Sequence, residues 1–313
     1  MNREVISLYR EGKLDLNDTF DRLFTNSNTT TLKKSVTNKK EKIESIEEII
    51  DELNSLVGLK NVKELIEEIR AFVDIQDKRR EAKLLADPIV LHMIFKGNPG
   101  TGKTTVARII GKLFKEMRVL EKGHLIEIER ADIVGEYIGH TALKVRQQVK
   151  KAMGGILFID EAYSLARGGE KDFGKEAIDA LVKSMEDNKN DLILILAGYE
   201  DEMEYFLKLN PGLKSRFPIH INFHDYTVDE LIKIAEKMAI EKEYELTKEA
   251  IRKLRLLLST NNYSFNSGNA RLVRNIIEKS FRKQAIRLKK QSIITKEDLL
   301  LIRKDDIEGD DKY

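Results

Sequence analysis

The amino-acid sequence predicts an α/β fold: a five-stranded parallel sheet with helices on both faces, followed by a small all-helical lid domain. Apolar runs of strand length alternate with segments of helical period over the first two thirds of the chain. Most of these runs are apolar at nearly every position, which is typical of strands covered on both faces of a parallel sheet. From Thr227 onward, only helical patterns follow. Together these observations predict the fold class.

Each element follows from its local pattern. Five runs are predicted as strands: Ile89–Phe95, His124–Glu129, Gly155–Ile159, Leu192–Ala197 and Phe217–Phe223. Helical spacing of apolar residues predicts connecting helices over Asn61–Lys83, Thr141–Ala152, Gly174–Asp187 and Asp201–Leu209. A capping box of Thr227 and Glu230 begins a helix that runs to about Lys242. Further helices are predicted over Lys248–Ser259 and Gly268–Lys289, with a last one after Thr295.

Composition divides the chain into four segments. Residues 1–45 hold an N-terminal helical segment and a flexible linker, because residues 25–40 are almost all Thr, Asn, Ser or Lys and cannot bury a core. Residues 46–224 are predicted to form the α/β domain, and residues 225–303 the helical lid. Residues 304–313 are predicted to be an acidic tail, frayed from Asp305 onward.

The composition also excludes several function classes. With 41% hydrophobic and 35% charged residues, the chain is typical of a soluble globular protein, and its net charge of +2 requires neither a nucleic acid nor an anionic membrane as partner. The lack of cysteine excludes disulfides, thiol catalysis and cysteine-ligated zinc. No signal peptide is apparent, and no apolar run approaches the roughly 20 residues that span a bilayer. We therefore expect a cytoplasmic protein with no membrane partner.

A glycine-rich loop between the first strand and the next helix is the strongest chemical signal. Glycines let backbone N–H groups turn inward, and the start of the following helix adds free N–H groups and a positive dipole end, so the loop can hold phosphates. The lysine would reach the β- and γ-phosphates and the next threonine would ligate Mg²⁺. The loop reads Gly97, Asn98, Pro99, Gly100, Thr101, Gly102, Lys103, Thr104.

An acidic pair at the end of the third predicted strand is the second chemical signal. Asp160 and Glu161 directly follow the apolar run Ile156–Ile159. In a nucleotide site, Asp160 would hold the Mg²⁺ shell, and Glu161 would polarise the attacking water. An acidic pair there could also only cap the next helix, but its place downstream of the phosphate loop favours nucleotide hydrolysis. The expected cofactors are therefore ATP and Mg²⁺.

These motifs resemble the AAA+ ATPases, and most of all the branch of the stage V sporulation protein K and the red-type, CbbX-like rubisco activases. The likeness covers about residues 50–300. It includes seven phrases in the same order: Leu56–Leu59, Gly97–Thr105, Asp132–Gly139, Phe158–Tyr163, Ala197–Tyr199, Asn210–Pro218 and Gly268–Arg271. Several motifs in one order are more specific than any single motif. Residues 1–45 fall outside the likeness.

The resemblance implies roles for further residues. Val57 and Gly58 would pack on the adenine, and Thr105 would complete the nucleotide-binding loop. Arg216 would be an arginine finger that reaches the γ-phosphate of the neighbouring subunit, a role that suits a permanent charge and a planar fork. Its alternative is a surface salt bridge. Arg271 would be the sensor-2 arginine, which contacts nucleotide in its own chain. Similar proteins usually have an asparagine at the end of the fourth strand. This sequence has Tyr199 there, whose hydroxyl could hydrogen-bond water as sensor 1.

The same resemblance implies a pore loop at Tyr137, Ile138 and Gly139. In similar proteins, a loop after the second strand lines the pore of a ring and grips a polypeptide through an aromatic–apolar pair. Gly135 and Gly139 would supply mobility. The alternative is an aromatic residue tucked under a surface loop.

The resulting prediction is an ATP-hydrolysing ring protein, a hexamer that remodels a protein partner in sporulation. One alternative is a motor or loader that acts on nucleic acid. Such a protein would be expected to have basic pore loops, and Glu136–Gly139 carries no positive charge. The other alternative is a nucleotide-dependent assembly scaffold, which would hydrolyse ATP slowly.

Overall fold

The computed structural model describes residues 44–86, 90–137, 139–167, 173–188, 191–259 and 268–308. From Glu44 onward the chain forms one compact unit. The predictions for residues 1–43, including the flexible linker, lie outside the described residues. None of the described helices is both long enough and apolar enough to cross a lipid bilayer.

A five-stranded parallel sheet forms the centre of the α/β part, as the sequence predicts. Its order is β2-β3-β4-β1-β5, and every pair of neighbours is parallel. The strands are β1 (Met93–Gly97), β2 (Leu125–Ile128), β3 (Gly155–Ile159), β4 (Leu192–Gly198) and β5 (Ile219–Phe223). Every residue of β1, β3 and β4 is buried, whereas the edge strands β2 and β5 are partly exposed. Burial on both faces explains why the inner strands are apolar at nearly every position. Lys96 of β1 is an exception, since it is buried and pairs with Glu204.

Helices cover both faces of this sheet. They are α1 (Ile46–Asn54), α2 (Lys60–Glu81), α3 (Lys103–Glu116), α4 (Arg130–Ile133), α5 (His140–Ala152), α6 (Gly174–Asp187), α7 (Glu200–Leu209) and α8 (Pro211–Lys214). Successive side chains of a strand point to opposite faces. Phe95 accordingly packs with α1, α2 and α3 in one core, and Ile94 packs with α5, α6 and α7 in another. Each core buries an amphipathic face of its helices.

The C-terminal part is a helical lid with its own core. It contains α9 (Val228–Ile240), α10 (Lys248–Ser259), α11 (Ala270–Lys289) and α12 (Lys296–Leu300). The side chain of Thr227 caps α9 with Glu230, as predicted. One feature has no signal in the sequence pattern: β6 (Glu245–Leu246) pairs in parallel with β7 (Leu301–Ile302). Two-residue strands are too short to show a period.

The prediction of a frayed tail from Asp305 is wrong for its first residues. Residues Lys304–Asp306 form a 3-10 turn, Asp306 is 1% exposed, and Ile307 is fully buried. Arg287 explains the burial, because its Nε and Nη2 each donate to the Asp306 carboxylate at 2.9 Å. A buried carboxylate needs such a paired, bidentate donor, and no local pattern reveals that partner.

Candidate functional site

A cleft of about 360 Å³ lies between the sheet and the lid. In a parallel sheet, the carboxyl ends of all strands meet at one edge, so loops that are distant in the chain come together there. The ends of β1, β3 and β4 and the starts of α3 and α11 form the cleft. Its lining residues are Gly97, Pro99, Gly100, Gly102, Lys103, Thr104, Thr105, Arg108, Asp160, Glu161, Gly198, Tyr199, Ala270, Arg271 and Arg274. Most of the residues predicted for the nucleotide site are among them.

The phosphate loop depends on glycine at two positions of close approach. Gly100 has φ 74°, and a Cβ there would lie 2.0 Å from the Gly268 carbonyl oxygen. Gly97 has φ 149°, and a Cβ there would lie 2.2 Å from the Phe223 carbonyl oxygen. No side chain fits at either place. The backbone of the loop is thus in close contact with the sheet edge at Phe223 and with the lid at Gly268.

Lys103 begins α3 and lies half-buried within the loop. Its Nζ donates to the carbonyl oxygens of Gly97 and Asn98 at 2.7 and 2.8 Å. Burial lowers the pKa of Lys103, while the Asp160 carboxylate opposes that shift. The two backbone carbonyls are neutral acceptors and supply no full negative charge. An incoming phosphate would place such a charge beside this desolvated cation.

Asp160 and Glu161 lie in the cleft in a strained arrangement. Asp160 directly follows β3, and its Oδ1 accepts a hydrogen bond from the Glu161 N–H at 3.0 Å. Glu161 has φ 47° and ψ 43°, a left-handed conformation that is uncommon for a residue with a side chain. Such strain concentrates at functional sites, where the surrounding fold enforces it. Burial, aided by the Glu161 carboxylate, raises the pKa of neighbouring Tyr163 to about 12.

Two residues of the predicted loop do not line the cleft. Thr101 is fully buried, and its hydroxyl donates to the Asn98 carbonyl oxygen at 2.8 Å. The Asn98 side chain points instead to Asp225, to which its Nδ2 donates at 2.9 and 3.0 Å. Both side chains support the shape of the loop.

Val57 and Gly58 lie beside the lid and not in the main cleft. Val57 packs against the lid core, and a Cβ on Gly58 would lie 2.5 Å from Glu230 Oε1. A second hollow of about 350 Å³ begins next to them, lined by Leu59, Lys60, Asn61, Glu64, His224, Asp225, Tyr226 and Glu230. A role for Val57 and Gly58 in adenine binding stays a prediction.

Two arginines that sequence reasoning missed join the site. Arg108 and Arg274 line the cleft together with Lys103 and Arg271. Helical spacing could have found both, since Arg108 lies four residues after Thr104 and Arg274 three residues after Arg271. Arg108 also pairs with Glu127 at 3.1 Å. The cleft therefore combines four cations with two carboxylates.

Tyr199 lies at the end of β4 and lines the cleft. Its ring centroid is 5.9 Å from that of Tyr163, in a tilted pair beside the acidic residues. The structure thus brings Tyr199 to the place where a sensor residue would have to be. Its assignment as sensor 1 stays a prediction.

Arg216 does not line this cleft. Its Nε donates to Glu186 Oε1 at 2.9 Å, and its Nη1 donates to the Gly212 carbonyl oxygen at 2.8 Å. Within one chain, Arg216 therefore forms the surface ion pair that was its alternative interpretation. Action on the site of a neighbouring subunit stays a prediction.

Tyr137 and Gly139 of the predicted pore loop lie at the surface. Tyr137 is 65% exposed and contacts the His140 ring edge-on at 5.4 Å, so the interpretation as a buried aromatic is wrong. Gly139 has φ 80°, and a Cβ there would meet no atom within 4 Å. Gly135, in contrast, is buried, and its N–H donates to Thr141 Oγ1 at 3.0 Å. Ile138 lies outside the described residues.

The residues of the cleft fit ATP with Mg²⁺. Lys103, Arg271 and Arg274 supply positive charge, and the glycine loop leaves no room for side chains where phosphates would approach the backbone. Thr104 and Asp160 supply hard oxygen ligands of the kind that Mg²⁺ prefers. An excess of cations in one cleft is electrostatically unfavourable unless an anion occupies it.

Comparison with known proteins agrees with this chemistry. The model of the ATPase family associated with various cellular activities (AAA) matches residues 93–225, and the AAA lid domain matches residues 227–313. The chain is 58% identical over 265 residues to stage V sporulation protein K of Bacillus subtilis, covering 84% of this chain and 82% of the relative. It is 44% identical over 269 residues to the chloroplastic ribulose bisphosphate carboxylase/oxygenase activase of Cyanidioschyzon merolae, covering 84% and 91%.

A solved structure shares the fold. The FIGL-1 AAA domain in complex with ADP aligns with a TM-score of 0.54 at 19% identity, covering 80% of each chain. At that identity, the likeness shows the fold alone. The family models and the relatives show more: this chain belongs to the AAA ATPase family, in the branch of stage V sporulation protein K and the rubisco activases, and it is an enzyme that hydrolyses ATP.

Proposed function

We propose that this chain forms hexameric rings in the cytoplasm and uses ATP hydrolysis to remodel a protein partner during spore maturation. The observation that carries this proposal is the 58% identity to stage V sporulation protein K over most of both chains. Identity to the rubisco activase is lower, at 44%. That relative is named for activating an enzyme, which supports a protein as the target.

In the proposed site, the phosphate loop and Lys103 hold the phosphates, and Thr104 and Asp160 hold Mg²⁺. Bound Mg²⁺ would neutralise charge on the β- and γ-phosphate oxygens. Glu161 accepts the proton of the attacking water, and the strained backbone of Glu161 keeps its carboxylate in the cleft. Arg271 contacts the nucleotide from its own lid, Tyr199 orients water as sensor 1, and Val57 and Gly58 pack on the adenine.

Arg216 completes the site from the neighbouring subunit. The planar fork of arginine stabilises charge that develops on the transferred phosphoryl oxygens. Its pairing with Glu186 keeps the guanidinium at the surface, 36% exposed, where a second subunit can reach it. Hydrolysis therefore depends on assembly in this proposal.

Tyr137, Ile138 and Gly139 grip the partner. Tyr137 presents an exposed ring, and Gly139 has open space around it. Apolar contact is non-directional, so a ring of such side chains can hold polypeptides of varied sequence. The neighbouring Glu136 and the lack of lysine or arginine between Gly135 and Gly139 do not favour a nucleic acid.

A trap experiment tests the proposal. Glu161→Gln rings should bind ATP and hold it, and should capture a partner from sporulating cells only when ATP is present. The matched controls are Lys103→Ala, which should capture nothing, and Glu161→Gln with Tyr137→Ala, which should lose the partner while still assembling. Capture of the partner in the absence of ATP, or by the variant that lacks the Tyr137 ring, would contradict threading. Either result would favour the scaffold alternative.

Complementation tests the process. A Bacillus subtilis strain that lacks stage V sporulation protein K should regain heat-resistant spores when it expresses this chain, and should not regain them with Glu161→Gln. Equal spore counts with the two forms would contradict an ATP-driven role in sporulation.

A further inference from the structure

A network of hydrogen bonds ties the phosphate loop to the start of the lid helix α11. We call it the loop–lid junction and define it by Asn98, Asp225, Tyr226 and Asn269. The Asp225 carboxylate accepts from Asn98 Nδ2 at 2.9 Å and from Asn269 Nδ2 at 2.8 Å. Residues of the phosphate loop and of the lid, far apart in the chain, thus share one acceptor.

Asn269 is the buried centre of the junction. It is 5% exposed, and its amide is used at both ends: Oδ1 accepts from the Tyr226 N–H at 3.0 Å, while Nδ2 donates to Asp225 and to the Pro99 carbonyl oxygen at 3.3 Å. Asparagine preceding a helix usually caps it, yet this side chain makes no capping bond to α11. Its backbone is strained, with φ 44° and ψ −121°. Neither feature benefits α11 itself.

Two further bonds strengthen the junction. The Ala270 N–H donates to the Gly100 carbonyl oxygen at 3.1 Å, and the Tyr226 hydroxyl donates to the Thr101 carbonyl oxygen at 3.1 Å. Burial raises the pKa of Tyr226 to about 12, further above neutral pH than the usual value for tyrosine, and at neutral pH the hydroxyl is a donor with either value. Successive carbonyls of the phosphate loop are therefore held by the lid and the segment that leads into it.

Electrostatics shows why such a junction is needed. α11 begins at Ala270, so its positive dipole end and the cations Arg271 and Arg274 face the cleft that also holds Lys103. Like charges and the dipole oppose this approach when no anion is bound. The carboxylates of Asp160, Glu161 and Asp225 offset part of this repulsion, and hydrogen bonds between the loop and the start of α11 also counter it.

We propose that Asn269 and Asp225 are positioning residues that hold the first turn of α11, and with it Arg271, against the phosphate loop, so that the cation cluster is assembled before nucleotide binds. The inference rests on the proposed nucleotide site. Pre-assembly of a binding site raises affinity because the ordering is not required at the moment of binding.

The first test is a reciprocal exchange in the full-length chain, with binding of a fluorescent ATP analogue in Mg²⁺ as the measurement. Asn269→Asp places two carboxylates face to face and removes a donor, so affinity should fall about tenfold. Asp225→Asn retains one acceptor oxygen and should change affinity by about twofold or less.

The double variant, Asp225→Asn with Asn269→Asp, restores a donor–acceptor pair because the amide and the carboxylate have exchanged places. It should recover most of the affinity lost in Asn269→Asp. Unchanged affinity in Asn269→Asp, or no recovery in the double variant, would overturn the proposal.

The second test uses Asp225→Ala, which lies at the exposed side of the junction and is expected to fold even if Asn269→Asp does not. It should lower affinity about fivefold in the wild-type chain but less than about twofold in an Arg271→Ala chain, because the junction acts through that arginine. Equal losses in the two backgrounds would overturn the proposal. Asp229→Asn is the matched control, since Asp229 pairs with Arg255 at the lid surface at 2.5 Å and should leave affinity unchanged.

Lys103→Ala distinguishes a failure of the proposed nucleotide site from a failure of the proposed role of the junction. If Lys103→Ala binds the analogue as tightly as wild type, the proposed site itself is wrong. If Lys103→Ala loses binding while Asn269→Asp and Asp225→Ala do not, only the role of the junction is wrong.

Discussion

The nucleotide cleft and the Tyr137 loop are built in opposite ways. In the cleft, Gly97 and Gly100 are in contact with distant backbone, and Lys103 is held by two carbonyl oxygens. In the other loop, Tyr137 is exposed and Gly139 has no neighbour within 4 Å of an added Cβ. The first region is held from several sides, whereas Tyr137 and Gly139 of the second are exposed.

The difference matches what each region would do in the proposed function. A site that positions phosphates needs groups held within fractions of an ångström, which requires contacts from several elements. A loop that grips varied polypeptides needs exposure and freedom to move. The same substitution should therefore have very different effects in the two regions, and the following expectations run from the largest effect to the smallest.

Substitutions of the cleft side chains should have the largest effects. Lys103→Ala should lose nucleotide binding, because no other residue of the loop replaces its ammonium. Glu161→Gln should bind ATP but hydrolyse it about 10²- to 10⁴-fold more slowly, the usual loss when a general base is removed. Equilibrium binding and steady-state turnover check both. Equal turnover of wild type and Glu161→Gln would exclude Glu161 as the base.

Arg216→Ala should lower turnover on the order of 10³-fold with little change in ATP binding. Arg216 lies outside the cleft of its own chain, so the proposed finger would act on the nucleotide of a neighbouring subunit. Mixing tests this directly: Arg216→Ala and Lys103→Ala chains, combined in one ring, should regain activity. Mixed rings that form but remain inactive would favour the surface ion pair with Glu186 as the whole role of Arg216.

Alanine at a glycine compares the two regions most directly. Gly100→Ala should lower the free energy of unfolding by about 3 kcal/mol, because the added Cβ would overlap the Gly268 carbonyl oxygen and the φ angle is positive. Gly139→Ala has only the strain of a positive φ and should cost about 1 kcal/mol. Thermal unfolding of the two variants is the measurement. Equal shifts would mean that the phosphate loop is less constrained than its contacts indicate.

Tyr137→Ala should have the smallest effect on the enzyme itself, changing thermal stability and basal ATP turnover little, because the ring is exposed and lies outside the cleft. Remodelling of the partner should nevertheless collapse, whereas Tyr137→Phe should keep it. A Tyr137→Ala ring that remodels normally would exclude the grip, and a ring that unfolds would show that Tyr137 stabilises the fold.

Much of the fold was predictable because it depends on local signals. The strands and most helices follow from periodicity, and their bounds differ by two to four residues at several places: for example, α2 ends at Glu81 and not at Lys83, β1 begins at Met93 and not at Ile89, and β5 begins at Ile219 and not at Phe217. Phe217 is buried as a strand residue would be, but its N–H bonds to the Leu213 carbonyl oxygen, as in a turn. Burial and strand pairing give similar patterns in a sequence.

Chain order alone was enough to locate the phosphate loop and the acidic pair, since each is a contiguous motif whose chemistry depends on neighbouring residues. Packing decided what lies around them. Helical spacing places Arg108 near Thr104 and Arg274 near Arg271, but only the packing of α3 and α11 at the sheet edge brings these residues into one cleft. Arg287 likewise meets Asp306 only in the folded lid. The loop–lid junction joins Asn98 to Asp225 and Asn269, residues with no shared motif. Contacts of this kind depend on how elements pack in space, and a residue pattern along the chain carries no record of them.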